Sequence, residues 1–162
     1  MPRAKLPSLL AASFILATAP AWADSPIVHR VSVGGPDACA AFGFEHPGCN
    51  ANFSLIAIER SDGSVTGHLI DRLGKDDGFH AVINCLVVDG NNAWASGVVI
   101  QGHIGTTSQV GRPVVTRVQD NGTSKKDPVD KISYSWLGDA RPCTMKLNYQ
   151  LLDAPDGQVK VD

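Results

Sequence analysis

Asp120, Asn121, Asp127 and Asp130 fall within one polar stretch, "DNGTSKKDPVD". All four offer oxygen, the ligand type that calcium takes. The spacing is not that of the calcium-binding helix–loop–helix, which wants D-x-[DN]-x-[DN]-G and a later glutamate. Lys125 and Lys126 lie in the same stretch and would repel a cation unless they point away. The competing expectation is a pair of turns, Asp120-Asn121-Gly122 as an Asx turn and Asp127-Pro128 opening another. The turns are preferred. No cofactor is expected, and calcium is the one candidate.

His68, His80 and Asp71 form a second constellation. An imidazole beside a carboxylate can act as a general base. The expected hairpin sets His68 opposite Ala57, on a face with Leu55 and Ile70. It sets His80 near Asp71 across the next turn. No nucleophile accompanies them: the chain has no G-x-S-x-G elbow, and its cysteines are expected to be oxidised. A histidine on a half-buried strand is usually structural, so catalysis is not the preferred reading. Trp94 and Trp136 are placed on core faces with Tyr134 and Tyr149. If a barrel encloses a cavity, the two tryptophans are the candidates to touch a small ligand there.

The four cysteines are Cys39, Cys49, Cys85 and Cys143. An even number in an exported chain points to two disulfides. Three pairings are open. Cys39–Cys49 with Cys85–Cys143 is favoured, the first closing a Gly/Pro-containing loop and the second tying distant strands. Zinc is disfavoured, because no C-x2-C pair exists.

Export is read from the start of the chain. Arg3 and Lys5 precede an apolar run from Leu9 to Ala19, and Ala21-Trp22-Ala23 supplies a small-x-small cleavage site. This is the pattern of a bacterial-looking signal peptide over 1–23, with a periplasmic or extracellular destination. No later segment reaches the roughly 18 apolar residues of a membrane helix. The rest, 24–162, suits a single domain. Losing Arg3 and Lys5 moves the formal net charge from −2 to about −4, which disfavours nucleic acid as a partner. The residues specify no other partner and no oligomeric state.

The elements that must position these groups are strands. Short alternating runs recur at about 27–33, 53–60, 65–73, 79–88, 93–101, 113–119, 131–137, 144–152 and 158–161, separated by turn signals such as Ser61-Asp62-Gly63-Ser64 and Asp89-Gly90-Asn91-Asn92. Pairing about Gly90-Asn91 puts Val87 opposite Trp94, Ile83 opposite Val98 and Ala81 opposite Ile100. One face would then collect Phe79, Ala81, Ile83, Cys85, Val87, Trp94, Val98 and Ile100. Pairing about Asp62-Gly63 puts Ile56 opposite Leu69 and Ile58 opposite Gly67. Val114, Thr116 and Val118 share a face, as do Ile132, Tyr134 and Trp136, and Met145, Leu147, Tyr149 and Leu151. The expected fold is all-β, an antiparallel meander of about 8–9 strands over 53–162. An N-terminal strand and a cysteine-containing loop precede it over 24–52. A closed barrel is preferred to a sandwich, because nearly every connection is hairpin-length.

"FSLIAIERSDGSVTGHLIDR", "INCLVVDGNNAWASG", "VVTRVQDNG", "DKIS" and "GQVKV" occur in that order. Together they resemble a family of uncharacterised exported bacterial β-domains with the motif order DGSVxG, CLxVxGNxA, VxDNG, DxIS and GxVxV. The resemblance implies the β-fold and export and supplies no activity. The segment "GGPDACAAFGFEHPGCNA" departs from that pattern. The functional expectation is an exported, non-catalytic binding or structural domain. A small-ligand-binding barrel is the alternative, and a secreted enzyme using a sheet histidine comes third.

Overall fold

The computed structural model describes residues 25–35, 51–74, 76–124, 126–154 and 157–162. The leader and the Cys39–Cys49 pairing lie outside these residues. Among the described residues eleven strands form: β1 (Ile27–Gly35), β2 (Ala51–Arg60), β3 (Val65–Leu73), β4 (Gly78–Asp89), β5 (Asn92–Ile104), β6 (Thr107–Ser108), β7 (Pro113–Gln119), β8 (Lys131–Ser133), β9 (Trp136–Leu137), β10 (Leu151–Asp153) and β11 (Gln158–Val161). They make one antiparallel sheet in the order β10-β8-β7-β5-β4-β3-β2-β1-β11, with β6 beside β5 and β9 beside β7. The sheet curls into a half-barrel, confirming the all-β fold.

Alternation decides which face is apolar, and the curled sheet encloses that face. Val31, Val33, Phe53, Leu55, Ala57, Leu69, Phe79, Ala81, Ile83, Val99, Val114, Val118, Ile132 and Val159 are all buried in one core. Each large side chain removed from water there stabilises by about 1.5–3 kcal/mol.

Two hairpin registers differ from expectation. In the first, Arg60 N–H bonds Ser64 O at 2.9 Å, and Gly63 has φ +80°. The loop is therefore Ser61-Asp62-Gly63, three residues with glycine in the left-handed position. Leu55 then pairs with Leu69 and Ala57 with Gly67, while Ile56 pairs with His68. One residue of slip exchanges the faces. Leu55 turns inward, whereas Ile56 and His68 turn out.

In the second hairpin Val87 does pair with Trp94, and Cys85 pairs with Ser96. Ile83, however, pairs with Gly97 and Ala81 with Val99, because a bulge intervenes between Ile83 and Cys85. A bulge adds a residue to one strand and reverses the inward phase. Phe79, Ala81 and Ile83 keep the interior, while Val98 and Ile100 are exposed.

Cys85, Val87 and Trp94 instead belong to a second, smaller core on the other face, with Val115, Cys143, Leu147 and Tyr149. The expected strand at 131–137 is two short strands interrupted at Tyr134-Ser135, and Trp136 is exposed. The expected strand at 144–152 is mostly irregular. It begins with a single 3-10 turn, Cys143–Met145, and only Leu151–Asp153 is strand. Met145 is exposed. The Cys85–Cys143 disulfide pins this segment across the sheet, and Trp94 Nε1 donates to Leu147 O at 2.8 Å.

Candidate functional site

The polar loop of 120–130 joins β7 to β8. Asp120 Oδ1 accepts the Gly122 N–H at 2.9 Å, and Asp120 Oδ2 accepts the Val161 N–H at 3.0 Å. Asp130 Oδ1 accepts the Asn121 N–H and its Oδ2 accepts the Val159 N–H, both at 2.7 Å. Asp127 Oδ2 accepts the Ser124 N–H at 2.8 Å. Asn121 Nδ2 donates to Val129 O at 2.6 Å. The Asx turn at Asp120 is thus present. Two of the carboxylates also reach β11, which the sequence pattern did not signal. Among the described residues, no group of three or more His, Cys, Asp or Glu side chains is arranged to hold a metal ion.

His68 and His80 are brought together, on the outer face. The registers set His68 opposite Val82 and His80 opposite Ile70, so the two histidines are diagonal neighbours. His68 Nδ1 lies 3.0 Å from His80 Nε2. The ring centroids are 5.0 Å apart.

Asp71 does not join them. It pairs with Phe53 on β2 and Phe79 on β4, and its side chain points inward, 3 % exposed. Side chains one residue apart in register take opposite faces of a sheet, so Asp71 and His80 cannot form the expected pair. Among the described residues, Asp71 Oδ1 and Ser135 Oγ are both buried with no hydrogen-bond partner. Burial pushes the Asp71 carboxyl up to about 6, and the nearby Ser135 hydroxyl offsets only part of this. A carboxyl between two phenylalanines has little to solvate its charge.

Around the histidines the outer face carries Ile56, Ile70, Val82, Val98 and Ile100, each 37–49 % exposed. Toward the β3–β4 turn lies an open cleft of about 370 Å³, bounded by Ile70, Arg72, Asp77, His80, Gln101 and His103 among others. His103 Nε2 stands 4.0 Å from Asp77 Oδ1, and Asp77 Oδ1 also accepts the Gly105 N–H at 2.9 Å.

Trp94 and Trp136 sit on the outer face of the half-barrel. Trp94 is buried beneath the pinned segment, with Arg117 Cζ 5.2 Å from its ring centre. Burial lowers the Arg117 pKa from its ordinary value. Trp136 stacks on Tyr149 at 5.7 Å between ring centres and meets Tyr134 edge-on at 6.1 Å. Tyr149 in turn donates its hydroxyl to Asp139 Oδ2 at 2.7 Å, and its pKa rises to about 12 through burial and then this bond. Arg141 grips Asp139 with two bonds of 2.8 and 2.6 Å, which hold that carboxyl well below the usual range.

No family model matches the chain, and no curated protein or solved structure does. The fold therefore places it among all-β proteins with a half-barrel sheet. No helix among the described residues is long and apolar enough to cross a membrane.

Proposed function

We propose that the chain is an exported bacterial β-domain that binds a partner or supports an assembly and performs no chemistry. The observation that supports this reading is the outer face of β2–β5. Five aliphatic side chains stand exposed there in adjoining rows, although the inner face already holds the core. Contiguous exposed apolar surface of this kind marks interaction sites. The Cys85–Cys143 bridge is compatible with export. The reading needs no catalytic histidine, because Asp71 and His80 lie on opposite faces, and it needs no calcium in the 120–130 loop.

A photo-crosslinking side chain at Val82 tests it. In cells of the source organism, a discrete adduct is expected from Val82 and none from Lys160, on the far strand β11. Adducts from neither position, or equally from both, would count against a specific docking face. Hydrolase activity in the purified chain that disappears in His80→Ala would transfer the preference to an enzyme.

A second reading is favoured by the stack of Trp136 on Tyr149. An exposed indole backed by a phenol is a platform for a small ligand, on the surface rather than in a barrel mouth. Quenching of tryptophan fluorescence that is lost in Trp136→Ala would support it.

A further inference from the structure

We propose that His68 and His80 form a two-imidazole binding site for a divalent cation of tetragonal preference, copper(II) first and nickel(II) after it. β3 lies between β2 and β4, and β4 lies between β3 and β5. Both backbones are therefore fixed by ladders on each side, and the two Cα positions are set before any ligand arrives.

The nitrogens are already at chelating distance. A cation about 2.05 Å from each imidazole nitrogen would see the observed 3.0 Å separation under an angle of about 94°. That is the cis angle of square or octahedral coordination. Tetragonal nitrogen sites suit copper(II) and nickel(II), and copper(II) heads the affinity order among divalent first-row ions. Among the described residues no third His, Cys, Asp or Glu completes a cluster, so water fills the remaining positions. A closed structural zinc site, which takes four protein ligands, is not what this geometry offers.

Without metal, one imidazole donates its N–H to the lone pair of the other, so the two nitrogens aim at each other rather than at a common point. Binding requires both rings to swivel about their terminal torsion, a motion open to outward-facing side chains. The donating ring moves its proton to its far nitrogen. Each ring then gives one lone pair to the cation, which sheds two waters, and nothing is oxidised or reduced. The register neighbours of His68 are Ile56 and Val82, and those of His80 are Ile70 and Gln101. None of these is cationic; the nearest cation is Arg72, the diagonal neighbour on the other side of His80, which lines the same cleft.

The test uses the tag-free mature chain at neutral pH, titrated calorimetrically with copper(II) and then nickel(II), with electron paramagnetic resonance of the copper complex. One copper per chain and coupling to two imidazole nitrogens are expected. His68→Ala or His80→Ala should weaken binding by roughly 10- to 100-fold, at least what loss of an outer-shell partner costs, and should reduce the coupling to one nitrogen. His103→Ala should change neither. A second measurement needs no variant: copper should broaden amide resonances centred on residues 68 and 80 in the intact chain. No binding by the intact chain overturns the proposal. So does affinity unchanged in both alanine variants, or broadening centred elsewhere.

Discussion

Asp130 Oδ2 accepts the Val159 N–H at 2.7 Å, across 29 residues of chain, while Asp130 Oδ1 holds the Asn121 N–H at the same distance. Two segments far apart in sequence thus share one buried carboxylate. β11 sends the Asp162 N–H to Arg30 O on β1, so Val159 and Val161 point their N–H groups the other way. Asp130 takes the first and Asp120 the second. The open edge of β11 is covered by carboxylates where a barrel would use another strand, and covered edges are how sheets avoid pairing with other chains.

Asp130→Ala should therefore be severe. It would orphan two N–H groups bonded to a charged acceptor, at about 1.5–3 kcal/mol each. A loss of about 3–5 kcal/mol is expected by urea unfolding, with faster hydrogen exchange at Val159. Asp120→Ala should cost less, about 1–2 kcal/mol, because its bonds are longer and partly exposed. A change below about 1 kcal/mol for Asp130→Ala would show that the latch does not hold the edge.

Asp71 sets a pH dependence of opposite sign to that of a paired carboxylate. Its folded pKa is raised from 3.8 to about 6 by burial. The contribution to stability is complete below about pH 4 and is lost as pH rises through about 6, because ionisation is easier in the unfolded chain. The loss amounts to about 3 kcal/mol. Asp71→Asn should flatten that window and stabilise the neutral-pH protein by about 1–3 kcal/mol. Denaturation midpoints measured across the window decide this, and a variant with the wild-type slope would refute it.

Gly97 permits the close approach of β5 to β4 beside the bulge. A Cβ there would stand 1.9 Å from Val82 O, and backbone cannot yield as a flexible side chain does. Gly97→Ala should cost more than about 2 kcal/mol. Gly90→Ala is a useful contrast. No atom lies near its Cβ, and the cost comes only from φ +58°, at about 1–2 kcal/mol. Equal thermal shifts in the two variants would mean that the contact at Gly97 relaxes.

Much of this fold was legible in the sequence. β3, β7 and β11 start and end where alternation and turn residues place them, because each is bounded by clear breakers. Register was less legible, because it depends on turn conformation and bulges. "SDGS" admits a two- or a three-residue loop, and that choice turned His68 outward. Nothing at Asn84 announces a bulge, yet it moved Cys85, Val87 and Trp94 to the far face. Asp120 and Asp130 stand out in the sequence only as candidate calcium ligands in a turn-rich loop. Their role was hidden because it depends on the curl of the whole sheet bringing β11 to them. The His68–His80 pair was missed for a different reason: it depends on the β3–β4 register, in which His68 faces Val82 and His80 faces Ile70.

The disulfide holds a cover, and its removal should show where. Cys85 and Cys143 are 58 residues apart, and closing a loop of that length restrains the unfolded chain by up to about 4 kcal/mol in the chain-entropy account. The native side is local. Residues 143–149 lie over Trp94 and Val115 as a small separate core, held further by the bond from Trp94 Nε1 to Leu147 O. The main core makes no use of the bridge. Replacing both cysteines by serine should therefore lower stability by about 2–4 kcal/mol without abolishing the sheet seen by far-ultraviolet circular dichroism. Trp94 emission should shift to the red, and amides of 143–149 should exchange before those of β3 and β4. If the amides of β3 lost protection as early as those of the cover, the bridge would be part of the global fold and not the clasp of one segment.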